Sequence, residues 1–172
     1  SDKKKTTQPL YSNQSVSLWD FNVSSRFVCV EFHTKANALD QYTIDGLFRA
    51  CDICQNNKYD GVVIANEGMQ FSAGVNLNFF YEMALTKQWK KIDDFLYHFQ
   101  QACKQLKYSY FPVIAAPSGL AIGGGYEVVA QTDFVVAHSN SIMGLVEPLV
   151  GLIPAGGGCK EMLRRWLEDT EV

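Results

Sequence analysis

Two glutamates stand in sequence surroundings that favour proton transfer. Glu127 follows three consecutive glycines at the predicted start of a helix, and Glu147 stands among apolar neighbours in the segment 144–158. A helix dipole favours an ionised carboxylate in the first turn, whereas poor hydration raises a carboxyl pKa and prepares the group for proton transfer near neutral pH. Two carboxylates in one pocket could divide acid and base work. A purely structural glutamate at the start of a helix is the alternative for Glu127.

Two glycine-containing segments could supply hydrogen-bond donors to an anion. Residues 69–77 follow a predicted buried strand and contain Gly74, and residues 116–127 include the run from Gly123 to Gly125. Free N–H groups at a helix start attract negative charge, such as the oxyanion that develops in acyl-thioester chemistry. Glycines also occur in turns between a strand and a helix for structural reasons alone. The segments are therefore candidates for an oxyanion site.

Alternating strand and helix patterns must position these segments. Short apolar runs and period-two alternation predict strands, and apolar residues at helical spacing predict helices, with Asp40 as an N-cap. Strands followed by helices in this order are typical of the α/β class, with active groups where the strands deliver their loops. The predicted strands are residues 16–21, 27–32, 61–65, 112–116 and 134–137, and the predicted helices are residues 40–55, 88–106, 123–130 and 160–167.

Length and composition indicate one domain with a small-molecule partner. The chain has 172 residues, of which 47% are hydrophobic, and we assign residues 1–15 to a polar linker or tail and 16–172 to the domain. The net charge of -3 argues against nucleic acid as a partner, and the apolar runs are too short for a membrane span. Five cysteines, an odd number, indicate a reducing compartment, so we expect a cytoplasmic protein. The Cys51–Cys54 spacing lacks a second pair, so we predict core packing and no metal.

The three candidate segments together resemble the crotonase superfamily, also called the enoyl-CoA hydratase/isomerase family. Residues 71–77 look like its first oxyanion-hole segment and residues 123–127 like its second, with Glu147 and residues 151–154 following in register. Residues 35–39 resemble its early CoA-contact segment. The resemblance implies a crotonase (ClpP-like) fold of repeated β-β-α units.

The resemblance also implies roles for four residues. The backbone N–H groups of Val75 and Gly124 would hold the thioester oxygen as it gains charge. Glu127 and Glu147 would hold a water between them, and both carboxylates would be catalytic. Because family members that only move a double bond typically need one carboxylate, the pair favours hydration of a 2-trans-enoyl-CoA to a 3-hydroxyacyl-CoA, a step of fatty acid β-oxidation.

Further implied roles concern coenzyme A, which enters as part of the substrate. Lys35 would approach the CoA phosphates, and Ala73 and Leu77 would line the adenine pocket. No other cofactor is implied for this domain. Three positions depart from the family pattern, namely Asn76, Pro148 and Ala155. The methyl group of Ala155 would lie close to the expected water.

The chain also resembles the hydratase region of long bacterial chains that include a 3-hydroxyacyl-CoA dehydrogenase. Family members usually continue with C-terminal helices, so we expect this chain to be an excised domain. The full-length protein could be a homo-oligomer. We expect NAD only in a parent chain that also includes the dehydrogenase. The alternatives are a double-bond isomerase or thioester hydrolase of the same fold, or a catalytically inert truncated scaffold.

Overall fold

Nine strands and five helices make up the part of the chain that the structure, a computed structural model, describes, namely residues 8–22 and 24–169. The strands are β1 Tyr11–Ser12, β2 Val16–Asn22, β3 Arg26–Phe32, β4 Gly61–Ile64, β5 Gln70–Ser72, β6 Val113–Ala115, β7 Leu120–Ile122, β8 Phe134–Val135 and β9 Ile142–Gly144. The helices are α1 Gln41–Asn56, α2 Leu77–Leu85, α3 Trp89–Lys107, α4 Gly124–Ala130 and α5 Gly158–Asp169, with 3₁₀ turns at Lys35–Asn37 and Glu147–Val150.

The larger sheet opens with the predicted hairpin. Strands β2 and β3 pair antiparallel, with Val16 opposite Phe32, and the alternate residues of β3 that face the core are buried. Residues 1–7 of the predicted tail lie outside the described residues, as do residues 170–172 at the predicted end of the domain. Strand β1 pairs with β2, so the sheet begins upstream of residue 16.

Parallel strands and two helices complete the main core. The sheet order is β1-β2-β3-β4-β6-β8, and β3, β4, β6 and β8 run parallel. Helix α1 starts at the predicted cap, because the Asp40 side chain accepts from the Thr43 N–H and the Thr43 hydroxyl accepts from the Asp40 N–H. Helices α1 and α3 bury Ile44 and Phe99 in this core. Both strands and helices agree with the α/β class.

A second sheet lies where the sequence indicated loops. Strands β5, β7 and β9 form a three-stranded sheet in that order, and both of its pairings are parallel. Each strand has only three residues, too few for an alternation pattern to identify. Because the three strands run parallel, all three candidate segments leave the sheet at the same edge. This sheet positions the candidate site.

The Cys51–Cys54 pair belongs to the core. Both thiols are buried, and burial raises the pKa of Cys51 to about 12 and that of Cys54 to about 11. A thiol with so high a pKa is a poor nucleophile and a poor metal ligand at neutral pH.

None of the helices within the described residues combines the length and the apolar composition that a membrane span requires.

Candidate active site

Residues 71–77, the first of the two oxyanion segments predicted from the sequence, turn away from β5 through Gly74, which has a φ of 93°. Val75 then makes a single parallel bridge with Leu39. In this bridge the Leu39 N–H donates to the Gly74 carbonyl at 2.8 Å, and the Asn76 N–H donates to the Leu39 carbonyl at 3.0 Å. The bridge thus uses the groups on both sides of Val75 and leaves the Val75 N–H pointing away from Leu39.

The second oxyanion segment places Gly124 at the start of α4, where an N–H has no partner within the helix. A Cβ atom placed on Gly124 would lie 3.4 Å from the Val75 nitrogen, and one placed on Gly74 would lie 3.3 Å from the Gly124 nitrogen. Within residues 8–22 and 24–169, neither the Val75 nor the Gly124 N–H donates a hydrogen bond. The structure therefore brings two unused amides side by side.

Glu127 lies one turn into α4 and is 2% exposed. Its Oε1 accepts hydrogen bonds from the N–H groups of Gly156 and Gly158, both at 2.8 Å, and the Ala155 backbone also stabilises the carboxylate. Burial raises the pKa of Glu127, the two glycine amides oppose this, and the charge of Glu147 raises it further. The carboxyl is therefore a stronger base than an exposed glutamate.

Glu147 follows β9 at the start of the second 3₁₀ turn and is half-buried. Its Oε2 accepts the N–H of Val146 at 2.9 Å. A Cβ atom placed on Gly123 would lie 3.3 Å from Glu147 Oε1, and the Gly123 N–H donates to the Gly144 carbonyl at 2.9 Å. The end of β9 is thus tied to the glycine segment, and the Glu147 carboxyl lies beside the same segment that carries Gly124 and Glu127.

The three predicted CoA contacts line one surface cavity of about 350 Å³, together with Val75. Lys35 stands on the 3₁₀ turn that precedes α1, and Ala73 and Leu77 lie two residues before and two residues after Val75. The Ala73 N–H donates to the carbonyl of Ala36, a residue with a φ of 59°, and so fixes the turn against that segment. Val75 thus borders this cavity and also lies beside the backbone of Gly124.

Two of the three departures from the family pattern have local structural roles. Asn76 caps α2, since its side-chain oxygen accepts the Asn78 N–H at 3.2 Å, and asparagine and aspartate cap helices about equally well. Pro148 lies in the first turn of the 3₁₀ segment, where its missing N–H leaves no bond unmade. Both residues thus fit the backbone conformation at their own positions.

Sequence reasoning missed the groups that hold the site residues in place. Ser72 is fully buried, and its hydroxyl accepts the Gly74 N–H at 3.2 Å, next to the Val75 amide. Gly156 has no space for a side chain, because a Cβ there would lie 2.4 Å from the Phe99 ring and 2.9 Å from Glu127 Oε2. The run of glycines from 156 to 158 was the only available signal, and it did not identify Glu127 as the acceptor.

Comparison with known proteins identifies the family. Residues 25–169 match the model of the family described as enoyl-CoA hydratase/isomerase. The chain belongs to the enoyl-CoA hydratase/isomerase family. Proteins of this family act on acyl-CoA thioesters, and the matched residues include both glycine segments and both glutamates.

Relatives and solved structures agree with this family. The chain is 36% identical over 159 residues to "Probable 3-hydroxyacyl-CoA dehydrogenase" of Bacillus subtilis, a match that covers 92% of this chain and 20% of the relative. It is 28% identical to "Fatty acid oxidation complex subunit alpha" of Idiomarina loihiensis, covering 90% and 21%. The chain thus spans about a fifth of these relatives. An enoyl-CoA hydratase structure from Polaromonas sp. JS666 superposes with a TM-score of 0.80 at 26% identity, covering 87% of this chain and 58% of that one. These matches confirm the predicted crotonase fold.

Proposed function

We propose that this chain hydrates 2-trans-enoyl-CoA to 3-hydroxyacyl-CoA. The observation that carries the proposal is the convergence of four groups at one edge of the small sheet: the unused amides of Val75 and Gly124, and the carboxyls of Glu127 and Glu147. The first pair suits an oxygen that gains negative charge, and the second pair suits the transfer of protons to and from water and carbon.

The two amides would stabilise the enolate. When a water oxygen bonds to C3, the electrons of the C2=C3 double bond shift through the conjugated system toward the thioester oxygen. Donors already aimed at that oxygen need no rearrangement as its charge develops, which is why such sites lower barriers effectively. Gly74 and Gly124 permit this approach because neither carries a Cβ between the amides.

The two carboxyls would manage the protons. Glu127 takes a proton from the attacking water as its oxygen bonds to C3, and Glu147 delivers a proton to C2 as the enolate collapses. Water has then added across the double bond, and exchange with solvent returns the carboxyls to their initial protonation states. A raised pKa makes the ionised carboxylate of Glu127 a stronger proton acceptor, which supports its role as the base when Glu147 holds the proton of the pair.

The remaining contacts and the cellular context extend the proposal. We infer that Lys35 approaches the phosphates of CoA and that Ala73 and Leu77 contact its adenine, because the three line one cavity next to Val75. The names of the relatives support a place in fatty acid β-oxidation. In a longer parent chain, a dehydrogenase that uses NAD would oxidise the 3-hydroxyacyl-CoA product.

Turnover of crotonyl-CoA by this chain tests the proposal. We expect the ultraviolet absorbance of the conjugated thioester to fall as 3-hydroxybutyryl-CoA forms. Glu127→Gln and Glu147→Gln should each lower kcat by at least about a hundredfold, because general acid–base groups contribute that much, while calorimetry shows nearly unchanged affinity for a saturated acyl-CoA. Equal activity in either variant would contradict the assigned roles.

Product analysis separates the competing reactions. Release of free CoA thiol would indicate a thioester hydrolase, and a shifted double bond in a longer enoyl-CoA would indicate an isomerase. Binding of acyl-CoA without turnover would indicate an inert scaffold.

A further inference from the structure

One peptide unit connects helix α3 to Glu127. The carbonyl of Ala155 accepts a hydrogen bond from the Nε2 of Gln100 at 2.8 Å. The N–H of the next residue, Gly156, donates to Glu127 Oε1 at 2.8 Å. These two groups belong to the same planar amide, whose C=O and N–H point in opposite directions. A donor that fixes the carbonyl therefore also fixes the direction of the N–H.

Few side chains restrain the segment that contains this peptide. Residues 152–157 form neither helix nor strand. Among the described residues, Gln100 is the only side chain that donates to the backbone carbonyls of this segment. The neighbouring Phe99 lies against Gly156, so consecutive residues of α3 hold the segment by packing and by a hydrogen bond.

We propose that Gln100 is a positioning residue for Glu127 in the reaction proposed above, on which this inference rests. By holding the Ala155–Gly156 peptide, Gln100 aims the Gly156 N–H at Oε1, and this leaves Oε2 to face the water. A hydrogen bond to the carbonyl also polarises the amide and strengthens its N–H as a donor. Gln100 itself does not contact the reacting atoms.

Removal of the Gln100 donor should change how Glu127 titrates. A weaker hydrogen bond from Gly156 stabilises the carboxylate less, so the pKa of Glu127 should rise further. Glu147, beside the glycine segment, raises the pKa of Glu127. Glu127 in turn raises the pKa of Cys103 on α3, and Lys160 of α5 lowers it. The substitution leaves all three in place.

The experiment compares two neighbouring glutamines of α3 in the whole chain. Gln100→Met removes the donor and keeps the length of the side chain, and Gln101→Met is the matched control because the Gln101 side chain makes no hydrogen bond within the described residues. The carboxyl ¹³C signal of Glu127, assigned by its loss in Glu127→Gln, is followed against pH. We expect the pKa of Glu127 to rise by roughly half to one unit in Gln100→Met only, as the partial loss of one hydrogen bond predicts.

Kinetics and stability complete the test. With Gln100→Met we expect kcat for crotonyl-CoA to fall roughly tenfold or more, KM to stay within about twofold, and the Tm to match that of Gln101→Met. Gln100→Ala also removes the donor from this exposed position, should give the same shift, and replaces Gln100→Met if that variant does not fold. An unchanged Glu127 titration in the donor-free variant would refute the positioning role. If the pKa of Glu127 shifts but the unsubstituted chain does not hydrate crotonyl-CoA, the proposed function is wrong. The effect of Gln100 on Glu127 through the Ala155–Gly156 peptide is then still supported.

Discussion

At the scale of the residue, the Glu127 carboxyl is deeply buried, yet it must be ionised to act as the proposed base. Its Oε1 is held by two glycine amides, yet burial still leaves its pKa above the ordinary value of 4.5. The folded chain therefore binds a proton at this position more readily than the unfolded chain does. Stability must then fall as pH rises from the unfolded pKa through the raised folded pKa, and the penalty is complete above it.

Glu127→Gln should therefore stabilise the protein while it lowers kcat. At about pH 7 the variant avoids the burial of a carboxylate, so we expect its Tm to exceed that of the parent by a few degrees. At about pH 3, where the carboxyl is protonated in both states, the difference should disappear. Thermal unfolding at both pH values measures this, and a gain that persists at the lower pH would show a cause other than ionisation.

At the scale of the element, helix α4 packs closely against Ser72 at the end of β5. A Cβ atom on Gly125 would lie 2.7 Å from the Cβ of Ser72 and 2.8 Å from its carbonyl oxygen. No flexible side-chain end is available to move, because both contacts involve atoms on or next to the backbone. Helix α4 can deliver Glu127 to the site only if position 125 lacks a side chain.

Gly125→Ala should consequently lower the free energy of unfolding by about 1–3 kcal/mol, the usual range for an overpacked core. Gly144→Ala is the matched control, because a Cβ at Gly144 meets no atom within 4 Å. Denaturant unfolding of both variants measures the difference. Similar losses in the two variants would show that crowding against Ser72 is not the cause.

The sequence predicted the long helices and strands well, and it failed where partners depend on tertiary structure. Asp40 was identifiable as a cap because its partner lies three residues away. The strands of the small sheet were not identifiable, since each has three residues and its pairing supplies the only evidence. The bonds from Gly156 and Gly158 to Glu127 join residues about thirty positions apart, and local patterns carry no information on such contacts.

At the scale of the whole molecule, a buried charge attaches α5 to the rest of the fold. Glu161 is fully buried and pairs with Lys107 of α3 and with Arg164 one turn further along α5. Burial alone would raise the pKa of Glu161, but hydrogen bonds from Lys107 and Arg164 outweigh it and lower the pKa. Because α5 begins at Gly158, this attachment also holds one of the amides that bind Glu127.

Glu161→Gln should destabilise the chain in a way that depends on pH. A lowered folded pKa contributes stability above the unfolded pKa, near 4.5, and loses it as pH falls through the folded value. We expect the Tm loss at about pH 7 to shrink at about pH 3. Glu168→Gln on the same helix removes a surface pair with Arg164 and should have little effect. Equal losses in both variants would argue against a special role for Glu161.

The parallel arrangement of β5, β7 and β9 bears on how the chain becomes active during refolding. The register joins Gln70 to Leu120 and Leu120 to Ile142, so the site closes only after three distant stretches of chain have met. Contacts of such long range form late, because each closes a large loop before any contact compensates for it. Catalytic activity should therefore recover with the slowest kinetic phase after dilution from denaturant, behind the far-ultraviolet signal of the helices, and stopped-flow measurement of both signals would detect the lag.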